Sequence, residues 1–144
     1  MAGEQFFNPF DAAIVHTGDQ DWIPSGVGGN RIKVLRVSSE TGAWSMLIKA
    51  PAGQVNPPHT HLGPADFYVL SGGFDYRGGS VRAGDWVYEP AGAVHEQTSH
   101  PTETVYLANF YGPVAFHGED GGFTHVLDWR AIKALETAAK KSKG

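Results

Sequence analysis

The sequence predicts an all-β domain followed by one α-helix, and three observations carry that reading. Glycine (19) and proline (9) are abundant without any repeat period, which suits many short strands joined by tight turns rather than a helical bundle. The apolar runs are short, and each is bounded by Gly, Pro, Asn or Ser clusters. Only the last segment, DWRAIKALETAAKK, carries apolar residues at helical spacing.

Residues 1–30 are irregular and rich in turn formers, ending in GVGGN. Apolar or alternating runs follow at 32–37, 44–50, 66–70, 85–88 and 103–111, the pattern of antiparallel strands. In TVYLANFY the apolar residues do not alternate cleanly, so that strand is expected to be covered on both faces. The helix is expected over about 128–141, with Asp128 as N-cap and Ile132 and Leu135 on its apolar face. No linker or composition shift divides the chain, so 1–144 reads as a single domain long enough to bury its own core. Pattern alone does not separate a sandwich from a barrel.

Composition excludes several classes of function. A net charge of -4, with basic residues clustered only at Lys140, Lys141 and Lys143, argues against a nucleic-acid partner. No apolar run approaches the roughly 18–20 residues that cross a bilayer, so no membrane partner is expected. The start, MAGEQFFNPFDAAIV, has an acid and a proline where a secretory signal needs basic residues and an unbroken apolar stretch, and a cytoplasmic location is expected. Without cysteine there is neither a disulfide framework nor a thiolate metal site.

Chemistry concentrates in the histidines. His59 and His61 are two apart, and on a strand such residues point to one face, so their imidazoles can share an ion. Pro57 and Pro58 stiffen the approach to them. His95, after the turn signature EPAGAV, is the best candidate for a third ligand. Three imidazoles on one side of an ion leave its other positions open to water, oxygen or substrate. An isolated H-x-H is a weak signal by itself, and His16, His100, His117 and His125 read as surface or core hydrogen-bonding residues.

Two longer patterns strengthen the case. Gly53, five residues, His59-Thr60-His61, four residues, Asp66, six residues, Gly73 is followed by Gly84, five residues, Pro90-Ala91-Gly92, two residues, His95. Order and spacing resemble the two motifs of the cupin superfamily over roughly 31–111, with ten residues between them. The resemblance implies a small double-stranded β-helix (a jelly-roll barrel) over about 31–128, with the metal near its mouth. The first motif usually carries glutamate where this chain has Asp66, one methylene shorter. That lost reach is serious for a metal ligand, so Asp66 is a weak candidate. Ser99 stands where the second motif often has asparagine.

Within that superfamily the stretches FYVLSG with Arg77, and VYEPAGAVHE, are similar to the acetylacetone-cleaving (diketone) dioxygenases, the dihydroxyacetophenone dioxygenases and the cupin domain of the anti-sigma factor ChrR. The resemblance implies Fe(II) held by His59, His61 and His95, and O2-dependent cleavage of a carbon–carbon bond in a small β-dicarbonyl. It also implies Glu89, Arg77 and Thr98 as polar groups around the site and Phe110 as part of its apolar wall. Zinc, nickel and manganese also accept three imidazoles. Alternatives are a ChrR-like sensor without turnover, another metal-dependent cupin enzyme such as an oxalate oxidase, and a structural barrel with incidental histidines. Small cupins commonly pair through exposed strand edges, and a homo-oligomer is expected, with residues 1–30 available for that contact.

Overall fold

Alternation along three central strands builds the larger sheet of the protein, which is seen here as a computed structural model describing residues 13–143. After a 3-10 turn at Thr17–Asp19, the chain forms β1 (Ile23–Pro24), β2 (Arg31–Val37) and β3 (Trp44–Ala50). β3 buries Trp44, Met46, Ile48 and Ala50 on one face while the residues between them are only half-buried. In β2 the pairing register shifts between Val34 and Arg36, so Val34 and Val37 both face inward although they are three apart.

β4 (Val55–Asn56) and β5 (His59–His61) lead into β6 (Ala65–Ser71), β7 (Gly73–Tyr76), β8 (Gly79–Arg82) and β9 (Trp86–Glu89). β10 (Val94–His95) and β11 (Thr98–Ser99) precede the long β12 (Thr104–Phe110), then β13 (Val114–His117), β14 (Phe123–Leu127) and the helix α1 (Trp129–Lys143). All strand pairs are antiparallel. The larger sheet has the order β1-β2-β3-β12-β6-β9. The facing layer is two four-stranded pieces, β10-β5-β13-β14 and β4-β11-β7-β8, which meet where 55–61 runs against 94–99. These layers make the expected double-stranded β-helix, and the helix expected over 128–141 extends to Lys143. Strands not anticipated from pattern include β1, inside the segment expected to be irregular, and β4, β7, β8, β13 and β14.

β12 corrects one expectation. Thr104, Tyr106, Ala108 and Phe110 are buried, whereas Val105, Leu107 and Asn109 are half-buried, so one face meets the core and the other is only partly covered. On the larger sheet Trp44 stacks on Phe110 at 4.9 Å and Phe67 sits edge-on to Phe110 and Tyr106, and the core joins the facing layer through Phe74 of β7, whose ring lies 5.9 Å from that of Tyr106. α1 adds Ile132, fully buried, with Leu135 against the same cluster. Asp128 caps it, accepting from the Arg130 and Ala131 amides at 3.0 and 3.4 Å. Of the irregular 1–30 segment, residues 1–12 lie outside the described residues. Among the described residues no helix is long and apolar enough to cross a membrane.

Candidate metal centre

β5 lies between β10 and β13, and its pairing places the three candidate ligands together. His59 and His61 share a face by strand alternation. His95 is directly opposite His59 on β10, while Phe116 and Val114 of β13 lie opposite His59 and His61 on the other side. Thr60, between the two histidines, points outward and meets His117 Nε2 at 2.7 Å. The three inward rings offer ligand atoms that all lie within 4.8 Å of one another.

Local hydrogen bonds fix which nitrogens are free. His59 Nδ1 donates to the Pro57 carbonyl at 3.0 Å, and His95 Nδ1 donates to the Glu96 carbonyl at 3.0 Å. Each therefore keeps a lone pair on Nε2. His61 is fully buried, and neither of its ring nitrogens has a hydrogen-bond partner. Leaving such a group unpaired costs about 1–3 kcal/mol, and a bound cation would satisfy its lone pair. Burial, followed by repulsion from the neighbouring imidazoles, pushes His61 down to about 3. Burial and then His59 push His95 down to about 4, and burial also lowers His59. All are neutral at pH 7, the form that coordinates. The donor set fits one divalent ion.

The other candidate residues separate into those at the site and those away from it. Glu89, 2% exposed, faces inward from β9 with Oε1 3.8 Å from His95 Nε2, and burial raises its carboxyl above the ordinary range. It accepts a hydrogen bond from Tyr76, a residue the sequence reading missed. The Tyr76 ring lies 4.6 Å from that of His95. Thr98 is buried with Oγ1 3.2 Å from His95 Nδ1, and Phe110 lies 6.2 Å from His61, ring to ring. Arg77 falls outside the cavity wall. It occupies the exposed β7–β8 turn at a φ of 49°, donating to the Tyr76 hydroxyl at 2.7 Å and to the Val94 carbonyl at 2.8 Å.

Asp66 is not brought to the metal group. Its neighbours Ala65 and Phe67 point into the core, so alternation turns Asp66 to the outer face. There it accepts from Asn109 Nδ2 and Tyr111 Oη, both at 2.8 Å.

Beside the histidines lies a cavity of about 90 Å³. Phe67, Phe110, Val114 and Phe116 form its apolar wall near His59 and His95, and Thr98, Asn30, Asn56, His100 and Tyr106 supply polar groups. Neither Asn30 nor His100 was anticipated at the site. His100 was read as an isolated core or surface histidine, and its lack of a spacing partner left no signal to find it by.

Comparison with known proteins agrees with this geometry. Residues 11–115 match the model of the ChrR cupin-like domain. The acetylacetone-cleaving enzyme of Acinetobacter johnsonii is 28% identical over 136 residues, covering 88% of this chain and 89% of that protein. Among solved structures, an acetylacetone dioxygenase from A. johnsonii superposes with a TM-score of 0.78 at 25% identity, over 89% of this chain and 91% of that one. A protein of Methylibium petroleiphilum, described as a candidate acetylacetone dioxygenase, gives a TM-score of 0.80 at 31% identity, over 86% and 93% of the two chains.

Proposed function

The chain belongs to the ChrR cupin-like family, and from that premise we propose that it is an Fe(II)-dependent dioxygenase that cleaves a carbon–carbon bond in a small β-dicarbonyl. The observation that carries this reading is the meeting of three neutral imidazoles beside a cavity walled by aromatic rings. Relatives that cleave acetylacetone support the substrate class.

His59, His61 and His95 would hold the ion, whose bound form supplies Lewis-acid and redox chemistry toward the dicarbonyl and O2. The fixed Nδ1–H bonds of His59 and His95 aim their Nε2 lone pairs without reorganisation. Phe67, Phe110 and Phe116 exclude bulk water from the substrate. Glu89, held by Tyr76, is positioned to accept a proton or a water hydrogen bond beside His95. Arg77 acts one step out, holding the Tyr76 hydroxyl and the β10 backbone rather than touching substrate. The partners of this reading are the substrate, O2 and a second copy of the chain along edge strand β9, where Trp86 and Tyr88 are exposed. Sedimentation velocity tests that last contact.

The test is oxygen uptake by the Fe(II)-loaded protein over a panel of β-diketones and hydroxyacetophenones, repeated with His61→Ala. Uptake that vanishes in the variant supports the reading, and an iron-loaded protein that consumes no oxygen with any of them defeats it. The family match itself favours a second reading, a ChrR-like sensor that holds a metal without turnover. That protein would bind one metal and consume no oxygen.

A further inference from the structure

The cavity contains a second set of polar groups, and their hydrogen-bond directions can be read from a backbone amide outward. The Gly29 N–H donates to Gln54 Oε1 at 2.9 Å, so Gln54 presents its amide nitrogen on the other side. That nitrogen donates to Asn56 Oδ1 at 3.2 Å, which makes Asn56 Oδ1 an acceptor. Asn30 must then turn its Nδ2 to the same oxygen, at 2.9 Å. Its own Oδ1 is left buried with no donor, on a residue 6% exposed that lines the cavity. His100, also on the wall, donates from Nδ1 to the Gln54 carbonyl at 2.9 Å, which leaves its Nε2 a lone pair.

Asn30 thus gives this cavity a buried acceptor for which the structure provides no donor, and His100 turns a second lone pair, on Nε2, from the same wall. No Asp, Glu, Lys or Arg is among the residues that line it, so a cation would lie there without a counter-charge. A neutral donor is what fits. We propose that Asn30 and His100 form a specificity subsite for a hydroxyl group on the substrate, so that the preferred dicarbonyl is hydroxylated rather than purely alkyl.

The inference rests on the diketone reading, and a pair of nearly isosteric ligands separates the two. Hexane-2,4-dione and 1-hydroxypentane-2,4-dione differ by a terminal methyl against a hydroxyl. Their dissociation constants are measured by calorimetry on the zinc-loaded protein, where redox turnover is absent. The hydroxylated ligand is expected to bind at least about tenfold tighter, since an unmet buried acceptor penalises the alkyl one. Asn30→Leu removes the acceptor and is expected to abolish that preference. His100→Phe, which keeps a ring against Phe74 and Tyr106, is expected to reduce it and serves should the first variant not fold. Equal affinity in the parent protein, or a preference that survives in both variants, overturns the subsite alone. Failure of both diones to bind overturns the diketone reading and the subsite with it.

Discussion

His59 and His95 are directly paired across β5 and β10, with their rings stacked at 4.6 Å and 14° from parallel. Two parallel imidazoles this close cannot both be protonated without strong repulsion, and each already donates its Nδ1–H to a carbonyl. The pair presents two Nε2 lone pairs, and His61, two residues from His59, supplies the third ring.

His95→Ala removes one of these ligands and leaves an ion held by two imidazoles. Loss of a group that merely orients a ligand costs about 10–100-fold in metal affinity, so loss of the ligand itself is expected to exceed about 100-fold. Competition against a metallochromic chelator measures it. Affinity within a factor of about three of the parent would remove His95 from the site.

Acid is expected to destabilise the metal-free protein. His61, held down at about 3, and His95, at about 4, stay neutral in the folded state, while the unfolded chain takes up protons on them below its ordinary histidine value of 6.5. The unfolded state therefore binds more protons between about pH 6.5 and 4, and stability falls as pH is lowered through that window. Each histidine contributes at most about 1.4 kcal/mol per pH unit there. Urea unfolding of metal-free protein from pH 7.5 to 4.5 tests the slope, and a flat profile would show that the rings are not buried as neutral groups.

The candidate metal ligands were legible in the sequence because strand geometry maps spacing onto direction. An i, i+2 pair must share a face, and the turn at 90–92 returns the chain so that His95 falls opposite His59. Strands β7 and β8 were not legible, since they are short and rich in glycine and charge, and neither were β13 (VAFH) and β14 (FTHVL), whose few apolar residues do not alternate cleanly. Tyr76 was missed for another reason: its role comes from a side-chain contact between β7 and β9, strands of different sheets, which no local pattern encodes. The departure at Asp66 was read for its shorter reach, but the decisive cause is alternation, which points the residue out of the barrel.

Gly73 shows why the first motif ends on glycine. A Cβ there would lie 2.4 Å from the Val81 carbonyl oxygen, on the strand that pairs with it, and backbone cannot yield as a flexible side chain can. Gly73→Ala is expected to cost about 2 kcal/mol or more through displacement of the β7–β8 hairpin. Since that hairpin carries Tyr76, the change should also weaken the Tyr76–Glu89 contact. Thermal unfolding measures the first effect, and a change within about 0.5 kcal/mol of the parent would contradict the close approach.

Tyr76→Phe isolates that contact. The phenol donates to the buried Glu89 carboxyl and so favours its ionised form, and removing it should raise a pKa that burial has already raised. If ionised Glu89 takes part in turnover, the acid limb of the pH–rate profile moves to higher pH while metal content stays at one equivalent. The lost hydrogen bond should cost about 1–2 kcal/mol in stability. A pH profile that superposes on the parent's would reduce Glu89 to a packing role.

Ile132 tests whether the C-terminal helix is part of the site or an ornament on the barrel. It is 1% exposed, packs into the core cluster shared by both sheets, and lines the same cavity as the histidines, although it lies outside residues 11–115 that match the family. Ile132→Ala is expected to cost about 2–4 kcal/mol, the loss of buried methylene groups plus the space they leave. That space opens into the cavity rather than onto the ligands, so the metal stoichiometry should be unchanged. Turnover should shift toward diketones with a longer alkyl arm, by about tenfold in kcat/KM relative to acetylacetone, because one or two methylenes then find room worth about 1 kcal/mol each. A destabilised variant with unaltered preference would mean that the void collapses and that α1 only braces the sheet. A variant as stable as the parent would mean that the helix does not dock where Ile132 places it.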